Sequence, residues 1–152
     1  MKIKVKMNPI GKILRDKGLL ADGRIQMFHT QNVLRRIQRF MPFLSGATIK
    51  LMIVQTDIRR PLIVIDTPYA KYIFYGKVMV DPKINAAGFM TPEGWRSRKG
   101  SVKVLTSRNL KYTKTKNPKA GPRPDKALSA SDGPVMAAEL QRYINRLGRS
   151  KQ

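Results

Sequence analysis

The apolar and polar positions of this chain change period several times, and each change predicts an element. At the start, Ile3, Val5 and Met7 alternate with Lys2, Lys4 and Lys6. A period of two predicts a short strand with one inward face and one lysine face, and the lysines discourage uncontrolled edge pairing. Asn8-Pro9 then suits a helix start, as cap and first helical residue. Ile10, Ile13 and Leu14 share one side of that helix and Gly18 marks its stop. From Gly23 to about Met41 the spacing of Ile25, Phe28, Val33, Leu34, Ile37, Phe40 and Met41 is helical. Asp22 is the expected cap of this long helix, and Pro42 ends it.

After the Ser45-Gly46 turn the period reads as two again. Thr48–Thr56 is β-branched and apolar, with Ile49, Leu51 and Ile53 on one side and Lys50, Met52 and Val54 on the other. With a turn at residues 57–61 and a second run from Leu62 to Asp66, it predicts an antiparallel hairpin. Thr67-Pro68 is expected to open a short helix containing Tyr69, Tyr72, Ile73 and Phe74, closed by a left-handed Gly76. Val78–Val80 reads as a third short strand.

Residues 81 to about 122 change character, with Pro82, Gly88, Pro92, Gly94, Gly100 and Pro118 breaking regular structure. Within them, Val102–Thr106 and Leu110–Lys114 are expected to pair around Ser107-Arg108-Asn109. A loop of this length is often functional. Gly121-Pro122-Arg123-Pro124 reads as a stiff joint and Asp125–Ala130 as a helical turn. A final helix follows, capped by Ser131 or Asp132, with Pro134 in its first turn. Its stripe is Met136, Leu140, Tyr143, Ile144 and Leu147, and Gly148 ends it. The expected fold is one α+β domain over 1–152, a small and mostly antiparallel sheet packed by a long helix and a C-terminal helix, with an extended basic limb at about 81–120.

Charge sharpens this picture. Thirty-one Lys and Arg face nine Asp and Glu, a formal net charge of +22. Residues 81–120 carry ten basic against two acidic residues, whereas 51–80 carry four against two. The middle is therefore core and the limb seeks polyanions or acidic protein surfaces. Lys99, Lys103, Arg108, Lys111, Lys114 and Lys116 are the expected contacts to DNA or to an acidic partner. Trp95 and Tyr112 lie among them. Trp95 is expected to anchor the loop in the core or a neighbouring subunit, with base stacking as the alternative. Tyr69, Tyr72, Phe74 and Tyr75 crowd one short segment, so that either some are core and some face a partner subunit, or all four pack within the domain.

Catalytic chemistry finds little footing. The absence of cysteine excludes disulfides and thiolate metal sites. His29 is the single histidine, expected to have a structural or surface role, and the acidic residues show no metal-loop spacing. Nucleophile-elbow, P-loop and Gly-x-Gly-x-x-Gly signatures do not occur. No cofactor is expected. The start lacks the apolar core of a signal peptide, and no apolar run reaches the ~18 residues of a membrane span.

Three segments then carry a resemblance. Thr67-Pro68-Tyr69-Ala70-Lys71-Tyr72-Ile73-Phe74-Tyr75-Gly76-Lys77-Val78-Met79 resembles a stretch of the minor capsid proteins of phages from Gram-positive hosts, a family similar to head–tail joining and tail-completion proteins. Pro42-Phe43-Leu44-Ser45-Gly46 stands where the family has Pro-x-x-Thr-Gly after a long helix. Lys116-Asn117-Pro118-Lys119-Ala120-Gly121-Pro122 resembles its Lys-Asn-Pro-x-Ala-Gly-Pro segment before the final helix. Ser45 replaces the usual Thr, and residues 84–110 look like an insertion. The resemblance implies a non-enzymatic virion protein, made in the host cytoplasm and placed in the neck between head and tail. There it forms a sixfold or twelvefold ring beside portal- or adaptor-side connectors and tail-tube proteins, with DNA in the channel. Pro42, Ser45, Gly46, Thr67, Pro68, Tyr69, Ala70, Tyr72, Tyr75 and Gly76 become the expected packing and interface positions. Two rivals stand beside it: a basic nucleic-acid-binding module in the manner of a small ribosomal protein, and a small metal-free nuclease using His29 and a lysine.

Overall fold

The computed structural model describes residues 10–16, 19 and 23–149. The strand expected at residues 2–7, the Asn8-Pro9 start and the Asp22 cap lie outside them. The fold is α+β, with five α-helices and two small antiparallel pairs of strands among the described residues. Helix α1 spans Ile10–Asp16 and α2 spans Arg24–Ile37, continued by a 3-10 turn at Gln38–Phe40 that stops before Pro42. Ile25, Leu34 and Ile37 of the expected stripe are buried, and Phe40 and Met41 carry it into the turn.

The hairpin expected over residues 48–66 is not formed. Ala47–Gln55 is instead a helix, α3, preceded by Gly46 at φ 77°. Its buried residues are Ile49 and Met52, three apart, with Thr56 buried just beyond the end, while Leu51, Ile53 and Val54 are exposed. An apolar run with few polar markers fits either period, and here burial of Ile49 and Met52 in one core with Leu34, Ile37 and Leu128 overrides the β preference of its branched residues. Residues 62–66 run back as an extended strap without a strand partner. Side chains hold it: the Val64 amide donates to Thr56 Oγ1 at 3.1 Å, and the Asp66 amide to Gln55 Oε1 at 2.8 Å.

Helix α4, Ala70–Tyr75, forms as expected and ends at Gly76, φ 66°. Its start is a correction. Neither Thr67 nor Pro68 is its cap or first residue. The Ala70 amide takes the Thr67 carbonyl, and the Thr67 hydroxyl is buried without a hydrogen-bond partner. Strand β1, Lys77–Val80, pairs antiparallel with a strand in the limb, Val104–Asn109. The basic hairpin expected at 102–114 is therefore absent, because residues 104–109 take β1 as partner and 110–117 run on without regular structure. The limb contains a different hairpin, β2 (Phe89–Thr91) against β3 (Gly94–Arg96), and Val104–Asn109 becomes β4.

The C-terminal region is one continuous helix, α5, from Pro124 to Arg149. Ser131 and Asp132 do not cap a second helix, and Gly148 lies inside the element. Pro134 removes one internal bond, but it is exposed, and so is Ala130, whose carbonyl loses its donor to solvent. Packing on both sides of Pro134, through Leu128 and Met136, keeps the helix in one piece. These two join Leu34, Ile37, Phe40, Met41, Ile49 and Met52 in the core, with Ile63, Ile65 and Ile73 against its edge.

A charged network ties α2 to α5. Arg36 reaches Asp132 at 2.9 Å and Glu139 at 2.6 Å, and Arg39 also engages Asp132. Asn32 is buried, donates to Glu139 Oε2 and accepts from both Arg35 and Arg36. The Arg36 hydrogen bond holds the Asp132 carboxyl below its ordinary range, and that of Asn32 does the same for Glu139. A carboxylate depressed in the folded state adds stability that is present above its unfolded value, ordinarily 3.8 for Asp and 4.5 for Glu. That stability is lost as pH falls through the folded value. The thermal midpoint is expected to hold above about pH 5 and to fall steeply below about pH 4. A midpoint unchanged at about pH 3 would mean that the network adds nothing to the folded state.

Candidate assembly interface

The segments singled out by sequence meet around α4. The chain leaves α2 at Met41, passes Pro42–Gly46, and returns at Tyr69, so that Pro42, Ser45, Gly46, Tyr69 and Ile73 line one cleft of about 270 Å³. Leu110, Lys111 and Tyr112, just past β4, close its other side. Gly46 is required twice over: its φ is positive, and a Cβ there would lie 2.9 Å from the Phe43 ring. Ala70 and Tyr75 face away from this cleft into a separate apolar groove of about 550 Å³, walled by Val33, Ile63, Ile65, Phe74 and Leu128. Tyr69 and Tyr75 are exposed, whereas Tyr72 and Phe74 are half-buried, so the four aromatics divide between surface and interior.

The end of α4 is locked by the segments that follow it in sequence. The Tyr112 hydroxyl donates to the Ile73 carbonyl, the Leu110 amide to the Gly76 carbonyl at 2.8 Å, and the Arg123 amide to the Phe74 carbonyl at 2.8 Å. Burial pushes the Tyr112 phenol up. Asn117, in the Lys-Asn-Pro segment, donates to the carbonyls of Gln38 and Met41 at 2.9 and 2.8 Å. It thereby satisfies carbonyls of the 3-10 turn that continues α2 and of its cap Met41. This role of Asn117 was legible only as part of a Pro/Gly segment; its carbonyl partners depend on tertiary placement.

The limb is built on Asp81. Its side chain is 2% exposed and receives Arg98 through both oxygens, at 2.8 and 2.9 Å, and the Lys83 amide at 2.9 Å. The Arg98 hydrogen bond holds this carboxyl below its ordinary range. The clamp fixes the base of the β2–β3 hairpin, whose side chains point outward. Met90 is 71% exposed and Trp95, its cross-strand partner, 60%, and Val102, in the segment after the hairpin, is 80% exposed. Trp95 is thus not anchored in the core of its own chain.

The basic residues do not gather into one patch of equal character. Lys103 donates to Ser97 Oγ at 2.9 Å, and the Lys116 ammonium lies 4.6 Å from the Phe43 ring centre. Lys99, Arg108, Lys111 and Lys114 are exposed. Among the described residues no carboxylate lies within ion-pair distance of any of these six. His29 Nδ1 is buried with no hydrogen-bond partner. Among the described residues no three His, Asp or Glu side chains converge as a metal site, and no helix is long and apolar enough to cross a membrane. The chain matches no protein-family model, no curated protein and no solved structure.

Proposed function

We propose that this chain is a structural subunit of the head–tail neck of a tailed bacteriophage, assembling into a ring that joins or closes head and tail. The observation that carries the reading is the β2–β3 arm. It is a limb clamped at its base by Asp81 and Arg98 and presenting Met90, Trp95 and Val102 to solvent. Met90 and Trp95, opposite each other on a braced hairpin, suit burial in a neighbour. A cyclic ring uses two different surfaces per subunit, one to give and one to receive, and the apolar groove beside α4 supplies a receiving surface. The resemblance of residues 67–79 supports the same assignment. Connector proteins on the portal or adaptor side, tail-tube proteins and the DNA in the channel are the expected partners, and the virion neck the expected location.

A nucleic-acid module is favoured by one observation, the lysine-rich run at 111–116 that lacks carboxylate partners. Native mass across a salt series, with negative-stain images, separates the two. A closed ring, alone or with connector proteins, supports the neck subunit. A monomer under every condition, binding nucleic acid steeply with salt, sinks it. A Met90→Lys, Trp95→Lys double variant is expected to remain folded, since both positions are exposed, and to lose the ring. Rings of unchanged stability in that variant would remove the arm from the interface.

A further inference from the structure

We propose that the cleft between α2 and α5 binds the phosphodiester backbone of a nucleic acid, gripped by Arg35, Arg142 and Arg146. The cleft encloses about 450 Å³ and lies on the helix pair, away from the basic limb. Arg35 comes from α2, and Arg142 and Arg146 stand one turn apart on α5. Phe28, Gln31, Asn32 and Glu139 complete its walls.

Glu139 is the carboxylate in this cleft, and both of its oxygens are already used. Oε1 receives Arg36 and Oε2 receives Asn32, each at 2.6 Å. Asn32 Oδ1 in turn accepts from Arg36 and from Arg35, at 3.0 Å each. The network thus neutralises Arg36, positions Arg35 by one of its nitrogens, and leaves its remaining donors unassigned. Among the described residues, Arg142 and Arg146 have no carboxylate within ion-pair distance. Arginines near a helix end answer the helix dipole, but that effect fades within the last turn. Arg142 lies seven residues before Arg149, the end of α5, so the dipole does not account for it. Three exposed guanidinium groups around one concavity, offset only by a Glu139 already engaged by Arg36 and Asn32, suit a ligand that brings several negative charges at close spacing. A phosphodiester chain does this at every nucleotide, and the planar guanidinium fork matches phosphate oxygens two at a time. The site is independent of ring formation, since every residue in it belongs to one subunit.

The test is fluorescence anisotropy of the full chain with a short labelled DNA duplex, across a salt series. An Arg142→Ala, Arg146→Ala double variant is expected to bind at least about tenfold more weakly. The slope of log affinity against log salt becomes shallower by about two, at roughly 0.9 per lost phosphate contact. Arg142→Lys with Arg146→Lys keeps the charge and the aliphatic stems without the fork, serves in place of the alanine pair should that pair fail to fold, and is expected to fall between. A Lys50→Ala, Lys126→Ala variant, at exposed positions outside both the cleft and the limb, is expected to retain most of the affinity. Three results overturn the proposal: no duplex binding by the parent, an unchanged affinity and slope in both arginine variants, or polyglutamate competing as well as DNA, which would make the cleft a seat for an acidic protein.

Discussion

A Gly76→Val variant is expected to lose roughly 2–5 kcal/mol of stability, a large part of the ~5–15 kcal/mol that holds a domain of this size together. Two separate penalties meet at this residue. Its φ of 66° lies in the left-handed region, which disfavours a β-branched side chain by about 1–2 kcal/mol. A Cβ would also stand 2.7 Å from Pro122 Cβ and 2.9 Å from the Tyr112 hydroxyl, and inserting atoms into packed space costs a further ~1–3 kcal/mol. Neither neighbour can withdraw freely. Tyr112 is held by its bond to the Ile73 carbonyl, and Pro122 adjoins Arg123, whose amide bonds Phe74. Gly76 itself bonds Tyr72 through its amide and Leu110 through its carbonyl, so strain there reaches α4, β1 and the run after β4 together. Urea unfolding measures the loss directly. A Gly76→Ala variant as stable as the parent would show that the junction is looser than its distances imply.

The parts of this fold that were legible in sequence are those with a strong local signal. The long spacing of Ile25, Leu34 and Ile37 defined α2, and Pro42 its end. The Tyr-to-Gly segment defined α4 and its left-handed stop, although the expected start at Thr67 and Pro68 was two residues early. What escaped were choices made by distant partners. Val104–Asn109 has β character, but whether it pairs with Leu110–Lys114 or with Lys77–Val80 is decided by the chain being led back past Asp81, where Arg98 closes on the buried carboxylate. Asp132 looked like a helix cap because it precedes Pro134. Its actual partners, Arg36 and Arg39, lie 96 and 93 residues earlier, out of reach of any local rule.

The residues grouped in sequence as one interface divide between two concavities. Pro42, Ser45, Gly46 and Tyr69 do share a cleft, with the expected contact residue Lys111 on its rim. Ala70 and Tyr75 belong to a different groove. The arginine cleft was invisible because its members look individually like ordinary solvated helix positions. Their convergence appears only when α2 is laid against α5.

The clearest separation between the two readings of residues 47–55 comes from truncating one side chain at a time. Met52 is fully buried, and Met52→Ala is expected to cost about 2–5 kcal/mol, the range for removing a long core side chain and leaving a partly unfilled cavity. On a strand with Ile49, Leu51 and Ile53 inward, Met52 would face solvent and its loss would scarcely register. In α3 the inward positions are Ile49 and Met52, and Ile53 and Val54 are 44% and 81% exposed. Val54→Ser is therefore expected to change stability by no more than about 0.5 kcal/mol. The pair of results fixes the period. A costly Met52→Ala beside a silent Val54→Ser belongs to a helix packed by residues three apart. A silent Met52→Ala beside a costly Leu51→Ala would restore the hairpin. The outcome bears on function as well, because α3 begins just after Gly46 and, through Ala47 and Thr48, sets one wall of the cleft that brings Pro42 and Tyr69 together. A strand starting at the same point would carry Thr48 away from Tyr69 and dismantle that surface.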